Sequence, residues 1–123
     1  MAEHNYITRT DSAGSVNIAE EVIATIAAEA VRAVDGVGGF STSLGGEIAE
    51  FLGKKGAPRG VKVTCTEQEI SVDVFFLVQY GSRIIDVAKA AQEAVVSNIE
   101  AITGIAVRQV NVTVCGVTFE KNK

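Results

Sequence analysis

The alternation between residues 61 and 80 constrains this chain more than any other feature. Val61, Val63 and Cys65 interleave with Lys62, Thr64 and Thr66, the period of a strand with one face buried. After Glu67-Gln68-Glu69 the pattern resumes, with Ile70, Val72, Val74, Phe76, Val78 and Tyr80 on one face. Two such runs joined by a short polar turn predict a β-hairpin. On the second strand's other face Ser71 and Asp73 give way to Phe75 and Leu77, so that face is not purely solvent-facing.

The flanking segments have a different period. Val22, Ile23, Ile26, Ala27, Ala30, Val31 and Val34 recur as one helical stripe over about residues 19–34. Glu20 and Glu21 fall in the first turn, where the helix dipole favours carboxylates, and Gly36 is the expected stop. A second helix is expected over about 83–102, with Val87, Ala88, Ala91, Val95, Ile99 and Ile102 as its stripe and Gly104 as its end. The last strand, about 106–118, places Val110, Val112 and Val114 on one face. Ile105 and Val107 have the opposite parity, and a bulge near Arg108 reconciles the two halves. Gly45–Leu52 is expected as a short helix, and 53–60, with the sole proline Pro58, as a loop.

An internal echo organises these pieces. Val31–Val37 and Ile99–Ile105 both read as a helix end, a glycine and an apolar strand start, so two helix-to-strand units flank one hairpin. The expected fold is α/β (α+β): a two-layer sandwich with two helices on one face of a four-stranded, mostly antiparallel sheet. The crossover from the hairpin through the second helix to the last strand should be right-handed. Residues 1–13 read as a flexible polar tail, 14–119 as the single domain, and 120–123 as a short polar end. At 123 residues the chain can bury a core without staples.

Composition excludes several functions. A net charge of −4 disfavours general DNA binding, which needs a basic face. The longest apolar stretches are broken by glutamates, so no membrane span and no secretory signal is expected. Cys65 and Cys115 read as free thiols in a reducing cytoplasm. The one histidine, His4, lies in the expected tail, which leaves no zinc site and no histidine-dependent catalytic group inside the fold. The carboxylate pairs Glu20/Glu21 and Glu47/Glu50 read as solvated helix surface. No catalytic residue, cofactor or metal is therefore expected.

Two constellations stand out. Lys54, Lys55, Arg59 and Lys62 surround Gly53 and Gly56 and form a candidate patch for an anionic partner. Gly53-Lys54-Lys55-Gly56 also matches the GXXG clamp of KH RNA-binding domains, although such a clamp needs helices on both sides and here Pro58 and a strand follow. Phe75 and Leu77, on the sheet face that carries no helices, form a candidate assembly face.

The order of several short runs resembles a known family. Gly14-Ser15-Val16-Asn17-Ile18-Ala19-Glu20-Glu21-Val22-Ile23, Val34-Asp35-Gly36-Val37, Leu52-Gly53-Lys54-Lys55, Gly60-Val61-Lys62-Val63, Val72-Asp73-Val74, Val78-Gln79-Tyr80-Gly81 and Thr103-Gly104-Ile105 before Val110–Val114 are similar to landmarks of the alkaline shock and general stress proteins of Gram-positive bacteria. The resemblance implies a cytoplasmic, non-enzymatic protein of envelope or alkaline stress. It implies gathering at the membrane through an integral-membrane anchor protein, without membrane insertion of its own, while self-association into a homo-oligomer is what the apolar Phe75 and Leu77 strip leads one to expect. The alternatives are a KH-like RNA binder using the Gly53–Gly56 loop, or a regulator of a fatty-acid precursor enzyme.

Overall fold

The structure is a computed structural model that describes residues 6–40, 60–66 and 69–119. The elements run β1 (Tyr6–Asp11), β2 (Gly14–Ala19), α1 (Glu20–Arg32), β3 (Val37–Phe40), β4 (Val61–Thr66), β5 (Glu69–Gln79), α2 (Ile84–Thr103) and β6 (Val107–Thr118). The expected helix at Gly45–Leu52 and loop at 53–59 lie outside the described residues.

β5 is the axis of the main sheet. β4 pairs antiparallel with its first half, from Thr66↔Glu69 to Val61↔Val74. β3 pairs antiparallel with its second half, through Val37↔Val78 and Phe40↔Phe76. The two short strands therefore share one edge of β5. β6 takes the other edge, parallel, from Ile70↔Val107 to Gln79↔Thr118. The sheet is four-stranded and mostly antiparallel, as the alternation leads one to expect. Its register slips between Ile70 and Ser71, which skips Arg108 and reconciles the two parities of β6; a second slip skips Cys115.

Both helices pack against the face carrying Ile70, Val72, Val74, Phe76 and Val78, all essentially inaccessible to water. α2 presents Val87, Ala91, Val95 and Ile99, one residue per turn. Its carboxyl end closes on Gly104 at φ 76°, whose N–H donates to Glu100 O at 2.9 Å. α1 buries Ile23, Ala24, Ala27, Ala28, Ala30 and Val31, and the small alanines let its backbone lie close to its neighbours. Three details differ from the periodic stripes. Val22 and Ile102 are exposed, because each falls where no neighbouring layer reaches. Helix α1 ends at Ala33 in right-handed conformation, and Gly36 comes later, at the turn into β3.

The amino-terminal end differs more. Residues 6–11, expected as part of a tail, form β1, which pairs antiparallel with β2 as a separate two-stranded sheet. Ile7 is 1% exposed and joins the core. The turn is set locally: Asp11 Oδ1 accepts the Ala13 N–H at 2.9 Å. Arg9 Nη1 donates to Gly104 O at 2.6 Å, so the hairpin is tied to the carboxyl end of α2, where a cation is favoured.

Candidate assembly surface

The sheet has one face without helices, and the parity of β5 decides what lies on it. Ser71, Asp73, Phe75, Leu77 and Gln79 alternate with the buried residues and are all half-buried. Lys62 is directly opposite Asp73 on the β4 side, and Asn111 is opposite it on the β6 side. Asn111 Nδ2 donates to Asp73 Oδ1 at 2.9 Å, and at the strand's beginning Arg108 Nη1 donates to Glu69 Oε1 at 2.9 Å. This half of the face is polar and internally paired.

The other half is apolar. Phe75 lies opposite Thr113, and Leu77 lies opposite Gly116. A Cβ on Gly116 would come within 3.1 Å of Leu77 Cδ2, so the missing side chain leaves the space that Leu77 occupies. The structure thus places Phe75 and Leu77 together on the helix-free face, half-buried rather than fully open. It also puts Lys62 on that face, beside Asp73. Lys54, Lys55 and Arg59 lie outside the described residues.

A second apolar surface was not legible in the sequence. Tyr80 lies one step beyond β5, in phase with buried Val78, yet it is 72% exposed. Phe119, just past β6, is 69% exposed. Their rings stack with centroids 4.9 Å apart and planes 20° from parallel. The Tyr80 N–H donates to Thr118 O at 2.8 Å and fixes the two chain segments side by side. Exposed Val117 precedes Phe119, and exposed Ile84 and Ile85 open α2 just after Tyr80. The result is an apolar shelf where the strands run past the start of the helix. Its sequence signal is the continuation of alternation through Val117-Thr118-Phe119 beyond the last residue that a helix covers.

Cys65 and Cys115 are both free and half-buried, the first on β4 and the second at the later slip of β6. Burial, and secondarily the Glu20 carboxylate, push the Cys65 thiol up from 9.0 to about 11. Glu20 Oε2 accepts the Cys65 N–H at 3.4 Å. Because the folded state holds this proton more tightly than the unfolded chain, the thiol's contribution to stability is complete below about pH 9 and is lost as pH rises toward 11. Melting temperatures measured from pH 8 to 11 should therefore fall more steeply for the wild type than for Cys65→Ala. Parallel decline of the two would show that this thiol is not coupled to folding. Among the described residues no group of three or more His, Cys, Asp or Glu side chains is arranged to hold a metal ion. Nor is any helix among them long and apolar enough to cross a membrane.

Comparison with known proteins agrees with this architecture. A zinc form of the MamM CTD superposes with a TM-score of 0.50 at 16% identity, covering 84% of this chain and 91% of that one, a likeness of fold alone. Among curated relatives, the uncharacterized protein YqhY of Bacillus subtilis is 33% identical over 107 residues, which is 87% of this chain and 79% of the relative. YloU of the same organism is 33% identical over 106 residues, covering 85% and 88%. The Streptococcus pyogenes protein Spy1614 is 33% identical over 103 residues, covering 82% and 85%. The family model for the alkaline shock protein 23 family, described as having a cell envelope-related function, matches residues 8–119, from the first hairpin to the aromatic shelf. Since that match spans nearly the whole chain, the protein belongs to the alkaline shock protein 23 family, a family of cell envelope-related function.

Proposed function

We propose that this protein is a non-catalytic component of envelope homeostasis that acts in the cytoplasm by self-association and by docking to an integral-membrane protein partner. The observation that carries the reading is the exposed stack of Tyr80 on Phe119, with Val117, Ile84 and Ile85, also exposed, close by along the chain. Aromatic side chains grouped in this way are typical contacts between proteins, and leaving them in water opposes solubility unless something covers them. The half-buried pair Phe75 and Leu77 provides a second contact on the helix-free face. A nucleic-acid role is less well supported, because the outer surfaces of the helices carry exposed Glu21, Glu29, Asp86, Glu93 and Glu100.

The test is an affinity pull-down from gently lysed cells, with membrane and soluble fractions kept separate and nuclease-treated controls. The wild type should recover one integral-membrane protein whether or not nuclease is present. A Tyr80→Ser/Phe119→Ser double variant, or Phe75→Glu, should lose most of it while keeping its far-ultraviolet circular dichroism. Recovery of RNA that nuclease removes, with no membrane protein retained, would replace this reading with an RNA-binding one.

A further inference from the structure

We propose that β6 is the seam along which a second copy of this chain joins, strand to strand and antiparallel, about a twofold axis through Val112. The inference rests on the self-association in the proposed function and names its interface.

Among the described residues β6 pairs only with β5, so its outer edge is free. The opposite edge of the sheet is treated differently: at β4, the Glu20 carboxylate stands in for a strand partner by accepting the Cys65 N–H. On β6, side chains of α2 do the same only at the beginning. Glu100 Oε2 accepts the Val107 N–H at 3.1 Å, and Gln92 Nε2 donates to Val110 O at 3.0 Å. From Gln109 to Phe119 the strand has no charged residue and no proline. Solitary proteins ordinarily blunt a long edge with charge, proline or cover, and this stretch lacks the first two.

The same stretch is complementary to itself. Between the slips at Arg108 and Cys115, Gln109–Val114 is regular strand. Directly opposed residues of an antiparallel pair share a face. Setting Val112 opposite its own copy therefore sets Val110 opposite Val114 and Asn111 opposite Thr113. Valines then meet valines on the helix side, where Val112 and Val114 are only partly buried in one copy, and polar side chains meet on the helix-free side. A register one step away would set Val112 against Thr113 and turn the two copies' helices to opposite sides of the joined sheet. Backbone hydrogen bonding is consistent with the first arrangement. The Val110 carbonyl is the one Gln92 takes from the outer side, so alternation leaves the N–H and C=O groups of Val112 and Val114 pointing outward. A neutral edge offers nothing to a charged peptide or a nucleic acid, whereas another copy matches it residue for residue.

Sedimentation velocity over a concentration series tests the proposal on the full chain. The wild type should associate into dimers or larger species, and its Val112 and Val114 amides should gain protection from hydrogen exchange as concentration rises. Thr113→Lys, at an exposed position beside the axis, should raise the dimer dissociation constant by about tenfold, because each new lysine stands opposite the other copy's Asn111 and the two charges lie diagonally across the seam, within reach of each other. Thr64→Lys, exposed on β4, should leave it unchanged. Circular dichroism melts verify that both variants fold. A wild type that stays monomeric at every concentration would overturn the seam, and with it the self-association in the proposed function. An oligomer that survives Thr113→Lys but dissolves on Phe75→Glu would overturn the seam alone and leave the wider reading standing.

Discussion

Phe76→Ala should lower the free energy of unfolding by about 3–5 kcal/mol, a large share of the roughly 5–15 kcal/mol available to a domain of this size. Phe76 is 0% exposed and, among the described residues, is the largest of the fully buried side chains. It sits in the middle of the axial strand, opposite Phe40 on one edge and Val114 on the other, under the helical layer. Truncation removes the transfer free energy of the ring and leaves a cavity. The surrounding strands cannot close that cavity without giving up hydrogen bonds. Phe76→Leu, which keeps most of the volume, should cost under about 2 kcal/mol. Urea titration followed by circular dichroism measures both, with an unchanged slope against denaturant indicating that the native state has kept its compactness. A loss below about 1 kcal/mol for the alanine variant would mean that the core does not converge on this strand.

Gly60→Ala should cost about 2–4 kcal/mol, from two separable causes. The residue has φ +85°, a region that side chains other than glycine's enter at a penalty. Its added Cβ would also lie 2.7 Å from Phe40 Cδ1 and 3.0 Å from the Phe75 carbonyl oxygen. The Phe75 oxygen is backbone and cannot move aside cheaply. The Gly60 oxygen meanwhile accepts the Phe75 N–H at 2.8 Å, so displacing Gly60 breaks the start of the β4–β5 pairing. Gly81→Ala isolates the first cause, since φ is +98° there and a Cβ would meet nothing within 4 Å. It should cost about 1–2 kcal/mol. Equal losses at both positions would mean that Phe40 and Phe75 adjust without strain.

The sequence exposed those parts of the fold that depend on local period. The hairpin of β4 and β5 follows from strict alternation, and the parity break between Val107 and Val110 marked the bulge that the register confirms at Arg108. Phe75 and Leu77 could be assigned to the helix-free face because parity alone opposes them to Val74 and Phe76. What was missed depends on distant partners. β1 holds a single core residue, Ile7, in a polar run, so nothing in its own composition distinguished it from a tail. That β3 and β4 share one edge of β5 is a pairing choice invisible to periodicity. Tyr80, Ile102 and Phe119 continue apolar patterns past the end of the neighbouring layer, and a one-dimensional pattern does not record where that layer stops. The basic candidates Lys54, Lys55 and Arg59 cannot be compared in this way, because they lie outside the described residues.

The meeting of β3 and β4 on one edge has a practical corollary for engineering. Phe40 and Gly60 end and begin their strands against the same stretch of β5, close enough that an added Cβ on one would touch the ring of the other. The chain therefore departs from β3 and re-enters at β4 through a single doorway on that edge. Entropy favours insertion between two ends held so close, since doubling the length of a closed loop costs only about 0.6 kcal/mol. A fluorescent domain, an epitope or a pair of new chain ends could be placed in that doorway while the sheet, the first hairpin and the aromatic shelf keep their own connections.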